Sequence, residues 1–174
     1  MTSKVDAPKL LSRLVLRGYK SIAECDIELG KMNVLIGANG AGKSNFIGFF
    51  RLINRLLDEK LQVSVGVAGG PDALLHFGRK KTEHLSAHLY FGNNGYTFTL
   101  VPTQDNRMMF SHEALWRNLY GDYRAESGHF ESYAETQKGT AVYGHVVSAM
   151  RSWLLLPFPR YEPKRLGQTD PRDQ

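Results

Sequence analysis

Short apolar runs alternate with polar turns over the first third of the chain. The runs at residues 14–19, 22–29 and 32–36 each have the length of a strand and end at turn formers or charged residues. The second run alternates small or apolar side chains with acidic ones, as a half-buried strand does. The third is continuously apolar, which is typical of a strand buried on both faces. We therefore predict three strands here, after a loose polar start at residues 1–9.

Helical spacing replaces this pattern in the next segment. Apolar side chains recur at intervals of three and four between Phe46 and Leu57, which predicts an amphipathic helix that runs to about Lys60. A glycine-rich loop at residues 66–71 is expected to stop the pattern.

Strand patterns return in the second half of the chain. Residues 84–91 and 96–101 flank the sequence Gly-Asn-Asn-Gly, a strong hairpin signal, and residues 107–116 predict a third strand. We predict an irregular insertion at residues 118–139 and a helix at 141–153.

A glycine-rich motif lies between the third apolar run and the predicted helix. Its residues match G-x-x-x-x-G-K-[ST]. Glycines let a backbone turn sharply and point its N–H groups inward, and the following helix adds free N–H groups and a positive dipole end. Lys43 is predicted to contact the β- and γ-phosphates and Ser44 to bind Mg²⁺. The alternative is an ordinary glycine-rich turn with an exposed lysine. The predicted nucleotide-binding residues are Gly37, Ala38, Asn39, Gly40, Ala41, Gly42, Lys43, Ser44 and Asn45.

Composition narrows the class of protein. Of the 174 residues, 42% are apolar and 11% aromatic, which favours a folded domain over disorder. No run approaches the roughly 20 apolar residues of a membrane span, and residues 1–13 lack the apolar stretch of a secretory signal. A single cysteine excludes an internal disulfide framework, so we predict a cytoplasmic location. The net charge of +5 permits an anionic partner such as nucleotide or DNA without proving one.

Two segments carry a resemblance to a known family: residues 14–22 (LVLRGYKSI) and 33–45 (NVLIGANGAGKSN). They resemble the amino-terminal half of a RecF/SMC-like, ABC-type AAA family ATPase, in the predicted-ATPase branch related to RecF and the OLD nucleases. Residues 73–78 (ALLHFG) extend the likeness, which covers residues 12–153. The implied fold is α/β, the N-terminal lobe of a P-loop NTPase (ABC/SMC-head-like). It would contain a mixed sheet, a P-loop helix, an antiparallel hairpin region and an incomplete core.

The resemblance also implies ATP and Mg²⁺ as cofactors. In such families two heads sandwich two nucleotides, and many members act on DNA in repair, chromosome maintenance or phage defence. Lys20 and Ser21 match the family's turn near the nucleotide base, which implies an adenine-side contact.

The hydrolytic motifs of that family are not found in this sequence. We find no signature loop, no Q-loop and no aliphatic strand ending in Asp-Glu. The sequence Leu-Leu-Asp-Glu at residues 56–59 continues the helical period, so Asp58 and Glu59 are predicted to cap a helix. We therefore predict nucleotide binding without turnover and assign no catalytic residue.

The tail at residues 154–174 is predicted to be disordered. Residues 157–161 (PFPRY) can be encoded so that the next reading frame spells His-Phe-His-Asp-Thr, a stretch resembling one that family members often carry at this place. We favour a one-base frameshift near codon 154. The alternative is a natural short protein.

Other chemistry-bearing residues each have a structural alternative. His84 and His88 could hold a metal, but a surface pair on a strand is favoured. Cys25 is interpreted as a small half-buried side chain rather than a reactive thiol. The basic residues 79–81 could touch DNA phosphate, and a solvated hairpin base is favoured.

Aromatic side chains form two groups. Tyr90, Phe91, Tyr96 and Phe98 predict cross-strand packing rather than base stacking. The second group has no readable period and is either a partner surface or local core. It comprises Trp116, Tyr120, Tyr123, Phe130 and Tyr133.

The favoured function is an ATP-binding fragment of a RecF/SMC-like ATPase, ancestrally coupled to DNA repair, chromosome maintenance or phage defence. One alternative is a small P-loop kinase or GTPase, although the GTPase motif N/T-K-x-D is absent. Another is a non-enzymatic regulatory or inactive partner of an intact homologous head. The expected partners are nucleotide, DNA through a full-length relative, and a second copy or homologous head, with no membrane.

Overall fold

Six strands form one sheet within residues 10–118 and 121–153, which are the residues that the computed structural model describes. The predictions for residues 1–9 and 154–174 lie outside them. The strands are β1 (Arg13–Tyr19), β2 (Ile22–Glu28), β3 (Leu85–Phe91), β4 (Asn94–Pro102), β5 (Met108–Arg117) and β6 (Gly121–Glu126). The α-helices are α1 (Lys43–Leu57), α2 (Leu61–Ala68), α3 (Pro71–Leu74) and α4 (Ala141–Arg151), and a 3₁₀-helix spans Ala134–Gln137.

The sheet has the strand order β2-β1-β3-β4-β5-β6, and every pairing among its described strands is antiparallel. The sequence-based prediction of a mixed sheet is therefore wrong for this part of the chain. The predicted strands that became β1 to β5 are confirmed. Strand β1 lies inside the sheet, since Leu14 faces Ile27 of β2 on one side and Leu89 of β3 on the other.

One face of the sheet builds the core. Side chains two residues apart on a strand share a face, so Leu14 and Leu16 of β1 both point into it and have no exposed surface. Helix α1 covers this face with side chains at helical spacing, of which Phe49 and Ile53 are also fully buried. The remaining fully buried side chains of the core from the other elements include Leu85, Leu89, Phe91, Tyr96, Phe98, Leu100, Phe110, Val146 and Met150.

The hairpin between β3 and β4 turns at Gly92 and Asn93, because Phe91 pairs with Asn94. Gly92 has a φ of 66° and occupies the first central position of this two-residue turn, where glycine is favoured.

Gly95, within β4, has a different role. A Cβ there would lie 2.1 Å from the ring of Trp116, so only glycine lets that ring lie across the strand.

The prediction of a strand at residues 32–36 is wrong. Residues 32–36 form no strand and lie outside the sheet, and the side chains of Met32, Val34 and Ile36 are 86%, 73% and 91% exposed. An apolar run becomes a strand only where neighbours satisfy its backbone groups, and no described strand pairs with this segment.

Two further elements differ from expectation. Helix α1 ends at Leu57 rather than near Lys60, and a separate helix, α2, follows it and extends into the first half of the predicted glycine-rich stop. The insertion predicted as irregular contains β6, which pairs with β5.

Candidate phosphate-binding site

The glycine-rich loop connects the exposed segment 32–36 to helix α1. Residues 31–41 are all exposed, and the helix begins at Lys43. Gly40 and Gly42 have φ values of 87° and 91°, in the left-handed region that residues with a Cβ rarely adopt. The glycines of the motif are therefore needed for the path of this loop.

The first turn of α1 is arranged to receive an anion. Its cap residue is Gly42, which has no side chain to accept from the free N–H groups, and the first turn holds no acidic residue. The bond from Phe46 N–H to the Gly42 carbonyl, at 2.8 Å, begins the helical pattern. Uncapped N–H groups and the helix dipole together favour a phosphate at this position.

Lys43 folds back over the loop. Its Nζ donates to the carbonyls of Gly37 and Ala38, at 2.5 and 2.7 Å, while Ala41 N–H bonds the Ala38 carbonyl at 3.2 Å. These contacts hold the ammonium group beside the loop backbone. A cavity of about 160 Å³ opens there. It is lined by Asn39, Gly40, Gly42, Lys43, Ser44 and Asn45.

The nine predicted residues thus lie on one loop and helix start, and six of them line one cavity. Ser44 is exposed at the first turn, where its hydroxyl could reach a metal held by phosphates. Nucleotide and Mg²⁺ binding by these residues stays a prediction.

A contact from the turn between β1 and β2 was not foreseen from the sequence. Asn45 Nδ2 donates to Ser21 Oγ at 2.8 Å, which joins this turn to the first turn of α1. Lys20, which precedes it, has its Nζ 5.6 Å from the ring centroid of Tyr19. The adenine-side contact implied for Lys20 and Ser21 remains untested.

The Asp-Glu pair at the end of α1 is not a Walker B site. Asp58 is the C-terminal cap of the helix, as predicted, and its carboxylate bonds Arg151 Nη1. This hydrogen bond from the Arg151 guanidinium holds the pKa of Asp58 below its usual range. Arg151 also donates to the Leu57 carbonyl at 2.6 Å and to Glu135 at 2.9 Å, so the cluster joins α1 to α4.

The structure shows the surroundings of three other sequence candidates, His88, Cys25 and Arg79. His88 Nδ1 lies 2.9 Å from Thr97 Oγ1, and residues 10–118 and 121–153 hold no cluster of three or more His, Cys, Asp or Glu that could bind a metal. Cys25 is half-buried, as interpreted, and burial raises the pKa of its thiol, the opposite of an activated nucleophile. Arg79 is paired with Asp72 at 3.2 Å.

The aromatic residues pack locally where they are described. Phe98 of β4 meets Phe110 of β5 edge to face with ring centroids 6.1 Å apart, which confirms cross-strand packing for this member of the first group. In the second group, Trp116 meets Tyr90 edge to face at 5.1 Å. Tyr120 lies outside the described residues.

Sequence reasoning missed a buried polar cluster around Glu113. This carboxylate is 3% exposed and accepts from Tyr96 Oη at 2.5 Å, Tyr133 N–H at 2.9 Å and Ser132 Oγ, with His129 Nε2 at 2.7 Å. Burial and the neighbouring carboxylate raise the pKa of Tyr96 well above its usual range. Strand alternation could not reveal this glutamate, because the register between β4 and β5 shifts at Thr99 and Leu100.

A glycine-rich loop that opens a helix, with Lys43 and Ser44 as the first two residues of that helix, has the sequence pattern of a P-loop. The chain matches the family model described as "AAA domain, putative AbiEii toxin, Type IV TA system" over residues 32–145, about two thirds of its length. It belongs to this AAA-type P-loop ATPase family. A search of curated proteins finds no match. Among the described helices, none has the length and apolar character needed to cross a membrane.

Proposed function

We propose that this chain is the nucleotide-binding lobe of a RecF/SMC-like ATPase and binds Mg-ATP through residues 37–45. The observation that carries the proposal is the start of α1, where the N-cap residue Gly42 has no side chain to accept from the free N–H groups and Lys43 is held over the loop. Lys43 would attract the β- and γ-phosphates, and Ser44 would bind Mg²⁺, which neutralises phosphate charge.

Binding without turnover is the second part of the proposal. The lining of the loop cavity contains no Asp or Glu. An attacking water bound there would have no carboxylate base among those residues, and Asp58 caps the opposite end of α1. Coupling to DNA repair, chromosome maintenance or phage defence, with DNA as partner, belongs to a full-length relative under this proposal.

Calorimetric titration with Mg-ATP tests this function. The wild-type chain should bind, and Lys43→Ala should weaken binding at least about a hundredfold because the main phosphate cation is lost. The matched control is Lys80→Ala, which removes the same charge from an exposed position outside the loop. Equal affinity in the wild-type chain and Lys43→Ala would overturn the assignment of the binding site. Phosphate release above background by the wild-type chain would overturn the claim of no turnover.

One observation favours a second candidate, a regulatory partner of an intact homologous head. Beside the exposed apolar segment 32–36 is a groove of about 570 Å³. Its apolar lining includes Leu11, Leu35, Phe46, Phe50 and Trp153. Exposed apolar surface of this kind is typical of a site that binds another protein.

Co-elution with a homologous full-length ATPase tests this candidate. We expect Ile36→Asp, which charges the exposed segment, to abolish co-elution while Lys80→Asp does not. Co-elution that survives Ile36→Asp, or none by the wild-type chain, would reject this candidate.

A further inference from the structure

Ser21 lies at the junction between the phosphate-binding loop and helix α1, where its hydroxyl accepts a hydrogen bond. Its Oγ accepts from Asn45 Nδ2 at 2.8 Å, and Asn45 is the third residue of the helix. A Cβ added to Gly42, the last residue of the loop, would lie 3.1 Å from the same oxygen. The hydroxyl therefore lies against the backbone from which the phosphate-binding N–H groups project.

The turn that carries Ser21 is itself firmly held. Lys20 has a φ of 49°, a left-handed conformation that costs energy for a residue with a side chain. Neighbouring contacts maintain it, since Lys20 N–H donates to the Leu74 carbonyl at 2.8 Å and its own carbonyl lies 2.7 Å from His76 Nδ1. Ser21 is thus anchored to the sheet and to the segment after α3.

At the other end of the loop, no described strand pairs with residues 32–36. The turn that leads into them is closed by Asn33, whose side chain bonds the backbone of Gly30 twice at 3.0 Å. The contact from Ser21 is therefore well placed to fix the loop relative to the sheet.

We propose that Ser21 is a positioning residue of the nucleotide site and acts through Asn45. The proposal rests on the function proposed above. By tethering the Asn45 side chain, Ser21 sets the rotation of the first turn of α1, and with it the direction of the N–H groups that meet phosphate. Hydrogen bonds weaken when the donor angle departs far from linearity, so a rotation of this turn that misdirects the N–H groups reduces phosphate affinity. In this role Ser21 need not touch the nucleotide.

The test is a double-mutant cycle on Mg-ATP affinity with Ser21→Ala, Asn45→Ala and the combined variant. We expect Ser21→Ala to weaken binding about fivefold, the effect of one hydrogen bond, without changing the melting temperature, because Ser21 is exposed. The combined variant should bind no more weakly than Asn45→Ala alone. Ser21→Thr, which keeps the oxygen, should restore affinity to within twofold of wild type.

Ser64→Ala is the matched control, since it removes a hydroxyl that bonds the carbonyl of Lys60, the N-cap residue of helix α2 away from the loop, and should leave affinity unchanged. Wild-type affinity in Ser21→Ala, with binding still lost in Lys43→Ala, would overturn this proposal and leave the proposed function standing. Additive losses in the combined variant would overturn the route through Asn45. A melting temperature that falls together with affinity would make Ser21 a folding residue and also overturn the proposal. If the wild-type chain binds no Mg-ATP, the proposed function fails and this inference fails with it.

Discussion

Two apolar triplets of nearly the same composition have opposite surroundings in this molecule. Leu14-Val15-Leu16 lies in β1 and is 0%, 7% and 0% exposed, whereas Val34-Leu35-Ile36 before the phosphate-binding loop is 73%, 45% and 91% exposed. The first triplet has strands β2 and β3 on its two sides, and the second has no strand partner among the described residues. Because the two triplets have similar apolar side chains, the difference in burial comes from the strands that pair with the first triplet and not from the local sequence.

The largest expected effect comes from truncating one side chain in each triplet. Leu16→Ala should lower the free energy of unfolding by about 3 kcal/mol, because it leaves a cavity in a fully buried site. Ile36→Ala should change it by less than about 0.5 kcal/mol, as at other surface positions. Urea unfolding followed by circular dichroism measures both. Similar losses for the two variants would show that residues 34–36 are buried in solution.

A smaller effect is expected at the buried polar cluster around Glu113. Glu113→Gln should cost about 2 kcal/mol, because the amide turns a donor toward groups that donate to the native carboxylate. Glu28→Gln, at an exposed position of β2, is the control and should be nearly neutral. Thermal unfolding compares the two variants, and equal melting temperatures would contradict the role assigned to the cluster.

The smallest effect concerns the link between α1 and α4. Arg151→Ala should cost about 1 kcal/mol at neutral pH, because the ion pairs lost are partly exposed. Since the pKa of Asp58 is lowered in the folded state, its share of the stability is present above about pH 4, the ordinary carboxyl range, and is lost as pH falls through the folded value. The difference between variant and wild type should therefore shrink below about pH 4. A difference that stays constant down to pH 2 would exclude this pairing, and Arg51→Ala serves as the control for loss of charge.

Local patterns predicted the elements whose own residues carry a clear alternation, turn signal or helical spacing. Alternation and turn residues located β1, β2 and the hairpin of β3 and β4, and helical spacing located α1. Helix α2 escaped notice because it contains Gly66 and several valines, which are poor helix formers. It forms where the carboxylate of Glu131 accepts from the N–H groups of Leu61 and Gln62, at 2.6 and 3.1 Å. No local pattern reveals a cap supplied from about 70 positions away.

The candidate site also has one part that the sequence predicts and one part that depends on the fold. The loop residues 37–45 form one contiguous motif, so their proximity follows from the sequence alone. The contact of Ser21 with Asn45 joins residues 24 positions apart and depends on how the turn between β1 and β2 meets α1. Contacts of this kind require the fold.

Hydrogen exchange with and without Mg-ATP tests most directly the claim that the loop binds nucleotide while the sheet provides stability. Without nucleotide, amides of β3, β4 and β5 should be strongly protected and those of residues 32–41 should exchange rapidly. Added Mg-ATP should slow exchange at residues 37–46 in the wild-type chain and leave Lys43→Ala unchanged. Unchanged exchange in this loop at saturating Mg-ATP, or protection elsewhere in the chain only, would contradict the account.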